Sequence, residues 1–243
     1  MRNYLKDLSC HYQGQYQKIK AALQRRQAVP SYDLEVDFVC FGDLHYPQQF
    51  YEMTEPPWVL FYKGDWSLLS QPCLSMVGTR QPDAYGKEMA RCLSSYFAKR
   101  FVIVSGLARG IDTICHQAAL VSGRSIGFLG CGLDVVYPPE NKVLIDKMGK
   151  EHLLCSEYPP TTKPLGHHFP VRNRLIVAAS RSLIIVQAQP RSGSTSSVTQ
   201  ALANGREVYC VPHRFDDKIG EANNQLISLG AQILTKEILQ DIV

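Results

Sequence analysis

The stretch FVIVSGLARGIDTICH, residues 101–116, constrains the chain more than any other. Phe101, Val102, Ile103 and Val104 form a continuous, largely β-branched apolar run, the pattern of a strand buried on both faces of a parallel sheet. The run stops at Ser105-Gly106, and a second glycine follows at Gly110. From Ile111 the apolar period becomes helical, through Ile114, Cys115, Ala118 and Ala119. This order of strand, glycine-rich turn and helix predicts an open α/β sheet, in which ligands sit at the carboxyl ends of the strands. The start of such a helix offers unpaired N–H groups and a positive dipole end, which favour anions. Arg109 adds a full charge, and Asp112 is placed to cap the helix. A phosphate-containing ligand fits that chemistry. Similar turns also occur without ligands, and Gly106 and Gly110, four apart, do not reproduce the G-x-G-x-x-G dinucleotide fingerprint.

A chain of 243 residues, 45% hydrophobic and 20% charged, suits one large domain or one domain with a small appendage. Its apolar runs are too short to span a bilayer, and no charged-then-apolar leader opens it. A cytoplasmic protein with no membrane partner is therefore expected. The eight cysteines contain no C-x-x-C pair and mostly lie in apolar runs, so neither a zinc site nor a disulfide framework is expected. The net charge of +4 permits a nucleic-acid partner without demanding one.

Residues 1 to about 30 carry Tyr12, Tyr16, Ile19 and Leu23 among Gln, Lys and Arg, which predicts one amphipathic helix ended by Pro30. We place a short helical and extended appendage over residues 1–54 and a Rossmann-like domain over residues 55–243. Within that domain strand and helix patterns alternate. Strands are expected near 58–62, 73–77, 101–104, 125–130, 153–157, 183–186 and 208–211, with a short one at 232–234. Helices fall between, including 171–179, 194–203 and 222–229. The fold class is α/β, a doubly wound and mostly parallel sheet.

Several strands end alike. Val77-Gly78-Thr79-Arg80, Ser105 to Gly110, Gly130-Cys131-Gly132 and Arg191-Ser192-Gly193-Ser194-Thr195 all join a strand to a helix, and right-handed crossovers put them on one sheet edge. Small residues there admit a ligand backbone, and hydroxyl and N–H groups suit phosphate oxygens; ordinary turns and helix caps are the plainer alternative. Arg172-Asn173-Arg174 follows His168-Phe169-Pro170 and opens a helix. Its arginines offer fork-shaped donors to phosphates, or to salt bridges with Glu157 or Asp134. Phe169 is a stacking platform or a core residue. The histidines at 116, 152, 167, 168 and 213 lack ligand spacing and read as structural. Ser192 and Ser194 lack the context of a hydrolase nucleophile.

Taken together, Val77 to Arg80, SGLARGID with His116, GCGLDVVYP from Gly130, SEYPP from Ser156, HFPVRNRLI from His168 and RSGST from Arg191 resemble the DprA family, the DNA-processing proteins of bacterial natural transformation. The resemblance covers about residues 58–235. It implies a Rossmann-like fold that binds single-stranded DNA, forms a homodimer, helps load RecA recombinase, needs no cofactor or metal and is not an enzyme. It also implies that Arg80, Arg109, Arg172 and Arg174 bind phosphates, with Gly78, Ser105, Gly106, Gly110, Phe169, Asn173, Ser192, Gly193 and Ser194 around them. Pro139 stands where members often carry a DNA-binding lysine, with Lys142 three residues on as a substitute. Gln187 and His213 replace a usual glutamate and glycine. The family's N-terminal helical domain is expected here as little more than its last helix, and a C-terminal winged helix is not expected. Leu226, Ile227, Leu229, Ile233 and Leu234 supply apolar surface for the dimer, the region through which the family pairs.

Two other functions fit less well. The related phosphoribohydrolases of the lysine-decarboxylase-like group carry P-G-G-x-G-T-x-x-E. Here Pro190 and Thr195 are kept, but Val198 takes the position of the glutamate that glycosidic cleavage requires. A nucleotide or second-messenger binder would lack the dinucleotide fingerprint.

Overall fold

The computed structural model describes residues 1–190, 197–198, 200–202 and 205–242. Among them, nine strands form a single sheet: β1 (Asp37–Cys40), β2 (Val59–Gly64), β3 (Cys73–Val77), β4 (Val102–Ser105), β5 (Ser125–Phe128), β6 (Leu153–Ser156), β7 (Ser182–Ile185), β8 (Glu207–Cys210) and β9 (Gln232–Ile233). Their spatial order is β1-β2-β6-β5-β4-β3-β7-β8-β9. From β6 to β9 every pairing is parallel, whereas β2 runs antiparallel to both β1 and β6. The doubly wound α/β fold is as the sequence indicated.

The parallel strands read as continuous apolar runs because both faces are covered. On β3, Leu74 and Met76 face the helix pair α4 (Ala84–Phe97) and α5 (Ile111–Ser122), while Cys73 and Val77 face the opposite core. Likewise Ile103 and Ile184 point one way, and Val102, Val104, Leu183 and Ile185 the other. Each such side chain, fully buried, contributes about 1.5–3 kcal/mol relative to exposure. Helix α6 (Lys142–Glu151) covers β2 and β6 with Leu144, Ile145 and Met148. On the other face lies α7 (His168–Ala178), with α8 (Glu221–Ser228) beyond it. Helix α7 starts earlier than the expected 171–179, because Pro170 lies in its first turn, where a missing N–H costs nothing.

Two other expectations change. The single N-terminal helix is a hairpin of α1 (Arg2–His11) and α2 (Tyr16–Gln24), and a one-turn helix α3 (Gln48–Tyr51) follows β1. The break falls at Gln13 and Gly14, both at positive φ, and a Cβ on Gly14 would stand 2.7 Å from the Glu157 carbonyl oxygen. The hairpin closes around Leu8, Ile19 and Ala22 and docks through Tyr16, stacked 5.3 Å from Trp58. Residues 37–40, assigned by the sequence to the appendage, pair with β2 as the edge strand of the main sheet. Half of the helix expected over 194–203 lies outside the described residues.

Candidate nucleic-acid interface

Strand order reverses at β3. The chain steps outward through β4, β5 and β6 and then returns to place β7 on the other side of β3. Ligands of open α/β sheets bind at such a switch point, outside the carboxyl ends of the strands. A cleft of about 550 Å³ lies there, lined by Gly78, Thr79, Arg80, Ala108, Arg109, Asp112, Gly166, Phe169, Arg172 and Asn173, among others.

At the glycines of the turns, the space a side chain would enter is filled by the protein itself. A Cβ on Gly106 would meet the Arg172 guanidinium at 2.1 Å, and one on Gly78 would meet Ile111 at 2.6 Å. One on Gly130 would meet the Phe169 ring at 2.8 Å. Gly110 has φ +75° and lies against the backbone of Thr79 and Arg80. These positions need glycine for close packing of turn on turn. Ser105 is likewise buried, and its hydroxyl donates to Met76 O at 2.6 Å. Gly78, Ser105, Gly106 and Gly110 thus hold the turns against one another, while Gly78 also lines the cleft and Gly106 the slot beside it. Ser192, Gly193 and Ser194 lie outside the described residues.

The arginines divide by burial. Arg172 is only 3% exposed and donates through Nη1 to the carbonyls of Gly106 and Phe128, the latter at 2.5 Å. It ties the start of α7 to the Gly106 turn and to the end of β5. Arg174 donates to the Glu55 carbonyl at 2.5 Å and pairs with the buried carboxylate of Glu157. The salt-bridge alternative is the one observed for Arg174. Burial raises the Glu157 carboxyl above its ordinary range, and Arg174 acts against that. Lys142 points along its own helix, 2.7 Å from Asp146.

Arg80 and Arg109 remain exposed. Arg80 has no carboxylate partner among the described residues; its guanidinium lies 5.6 Å from the Phe169 ring centre, within cation–π range. Arg109 is held by both oxygens of Glu140, one of them at 3.2 Å from Nη2. That pair is solvent-exposed, and its hydrogen bonds keep the Glu140 carboxyl below its usual range. Phe169 packs against Tyr137, with ring centres 5.4 Å apart. Half-buried, the two rings open beside both arginines on a slot floored by Leu129, Gly130 and Cys131. Tyr137 and Glu140 were not singled out in the sequence. Their signal was position alone, since VYPPEN follows the third glycine turn.

The second turn is held under strain. Leu107 has φ +58°, a costly region for a residue with a Cβ. Its side chain is buried, and Asn141 donates to its carbonyl at 2.9 Å. Leu107 thus points inward while Arg109, two residues on, projects into solvent. Asp112 does not cap α5; Gly110 holds that place. Buried instead, Asp112 accepts from Ala108 N–H at 3.4 Å, and desolvation pushes its carboxyl upward against the field of Arg172. Among the described residues no three His, Cys, Asp or Glu side chains come together as a metal site.

The sequence profile of the family described as DNA recombination-mediator protein A matches residues 37–243. This chain belongs to that family. The DNA processing protein DprA of Bacillus subtilis is 44% identical over 202 residues, spanning 82% of this chain and 68% of the relative. That of Streptococcus pneumoniae is 41% identical over 191 residues, covering 78% and 68%. The X-ray structure of the S. pneumoniae DprA aligns with a TM-score of 0.87 at 31% identity, over 100% of this chain and 99% of that one. A Helicobacter pylori DprA structure, described as giving insight into a single-stranded DNA binding mode, aligns at 0.76 and 33% identity, over 85% and 94%. Family membership accounts for the shared sheet.

Proposed function

We propose that this chain binds single-stranded DNA at the β3–β7 switch point, with Arg80 and Arg109 on the phosphates and the Tyr137–Phe169 pair under the bases. The observation that carries this reading is the juxtaposition of two exposed guanidiniums with a half-buried aromatic pair around one slot at the strand ends. Charge that follows a backbone, combined with rings on which any base stacks, is the means by which single strands are held without sequence preference. The naming of the H. pylori relative's ligand supports the same choice. Arg172 and Arg174 serve as positioning residues in it. The chain acts as a binder rather than a catalyst, since Val198 is a buried apolar residue at the position a phosphoribohydrolase fills with glutamate.

RecA loading and homodimerisation are finer proposals that rest on the family. For the dimer, Leu229 and Ile233 are 83% and 42% exposed and are available. Leu234 is buried, and Leu226 and Ile227 are half-buried against the core, so Leu229 and Ile233 offer most of the exposed apolar surface of the set. We also propose that the domain boundary falls at residues 36/37, with a helical hairpin docked on a sheet domain. Among the described residues no helix is long and apolar enough to cross a membrane.

Fluorescence anisotropy of a dye-labelled oligothymidylate across a salt series tests the main reading. Salt-sensitive binding, stronger than to duplex, is expected, and Arg80→Ala should lower the slope by about 0.7. Equal affinity of wild type and Arg80→Ala would remove Arg80 from the site.

A further inference from the structure

The cleft absorbs the cations of the strand ends but not those of the N-terminal hairpin. From His11 to Tyr32 the sequence holds Lys18, Lys20, Arg25 and Arg26 and no acidic residue. All four are exposed, and among the described residues none has a carboxylate partner. On α2, Lys18 and Lys20 flank the buried Ile19, while Arg25 and Arg26 follow at its C-terminal end. Cations at a helix C-terminus complement its dipole, which accounts for some of Arg25 and Arg26 but for neither lysine.

Arg26 carries a second observation. It has φ +49°, and its N–H reaches Leu23 O at 3.1 Å while that of Gln27 reaches Ala22 O at 3.0 Å. This is a Schellman close, whose left-handed residue is usually glycine because a Cβ there is strained. The chain keeps a cation at a position where helix closure alone favours glycine. Such local conflict is expected where a side chain serves a purpose other than folding.

The hairpin also adjoins the cleft wall. Gln13, in the turn before α2, accepts from Thr162 at 3.0 Å. Thr162 belongs to the loop that continues through the exposed Lys163 and His167 to Gly166 and Phe169 at the cleft. The family profile begins at residue 37, so this surface lies outside what it matches.

We propose that Lys18, Lys20, Arg25 and Arg26 form a second contact surface for the nucleic-acid backbone, engaged by strands long enough to leave the cleft along the 162–167 loop. The proposal rests on single-strand binding at the cleft, and the test separates the two. The full chain and a Lys18→Gln, Lys20→Gln, Arg25→Gln, Arg26→Gln variant are titrated with a short oligothymidylate that only the cleft can cover and with one several times longer. The variant should bind the short probe as wild type does. For the long probe it should lose about tenfold or more in affinity at low salt, with a slope smaller by about 0.7 for each contact removed. Arg26→Gly guards against misfolding: it should hold or raise the melting temperature yet still lower the long-probe slope. Equal affinities and slopes on the long probe would overturn the proposal. So would a defect confined to sedimentation with phosphatidylserine vesicles. If Arg80→Ala weakens both probes while the hairpin variant matches wild type on both, this proposal falls and the cleft reading stands.

Discussion

At the scale of single residues, the site depends on which arginines face water. Arg172 and Arg174 are two residues apart in sequence and both are spent on the protein's own acceptors. Arg172→Ala would strand two buried carbonyls, so urea unfolding should show a loss of about 3 kcal/mol or more. Gly106→Ala should act on the same contact, since its methyl would displace the guanidinium. Glu140 is the opposite case. It holds Arg109 as a phosphate would, and an exposed pair of this kind exchanges readily. Glu140→Gln frees Arg109, so oligonucleotide affinity should rise severalfold and the salt slope should steepen; unchanged anisotropy titrations would assign Arg109 no phosphate contact. The sequence made Arg80 and Arg109 legible because they follow strand ends. It could not separate them from Arg172 and Arg174, because burial and pairing with Glu157 depend on the return of α7 across the sheet. Glu140 and Tyr137 stayed hidden for the same reason: their partners lie about thirty residues away in sequence.

At the scale of elements, α5 illustrates what buried polar groups do to stability. Within it, His116 is fully buried, and its Nδ1 lies 2.7 Å from the Ser125 hydroxyl. That hydroxyl donates to Ile103 O at 2.7 Å, so Nδ1–H is the donor to it and Nε2 carries no proton. Burial first, then the field of Arg172, lowers the imidazole from 6.5 to about 3. Between those values the unfolded chain binds a proton that the folded one does not. Stability therefore falls on acidification across that window, by up to about 1.4 kcal/mol per pH unit. Asp112 and Glu157, raised by burial, act in the opposite direction. Comparing wild type with His116→Asn in urea melts from neutral pH downward isolates the histidine, and the variant should show the flatter or reversed slope. Strand β4 and helix α5 were readable from residues 101–116, where the apolar period switches from continuous to helical. The N-terminal hairpin was not, because Gly14 is one residue in a helical pattern and its reason for turning, the Glu157 backbone, lies far along the chain.

At the scale of the whole molecule, the sheet is bounded by β1 at one edge and by the two-residue β9 at the other. Leu229 stands exposed just before β9 and Ile233 within it. If they seat a second copy of the chain, Leu229→Glu with Ile233→Glu should convert a dimer to a monomer in light scattering at micromolar concentration without lowering the melting temperature. A wild type that is already monomeric there would set this surface aside. Strand order carries a consequence for synthesis as well. The central strand β3 gains its second neighbour only when β7 arrives, over a hundred residues later. A ribosome adds roughly 5–20 residues each second, so for several seconds the growing chain has Arg80 and Arg109 in place but no completed crevice. The crevice is among the last features to assemble, and a chain stalled before residue 182 would be made without it.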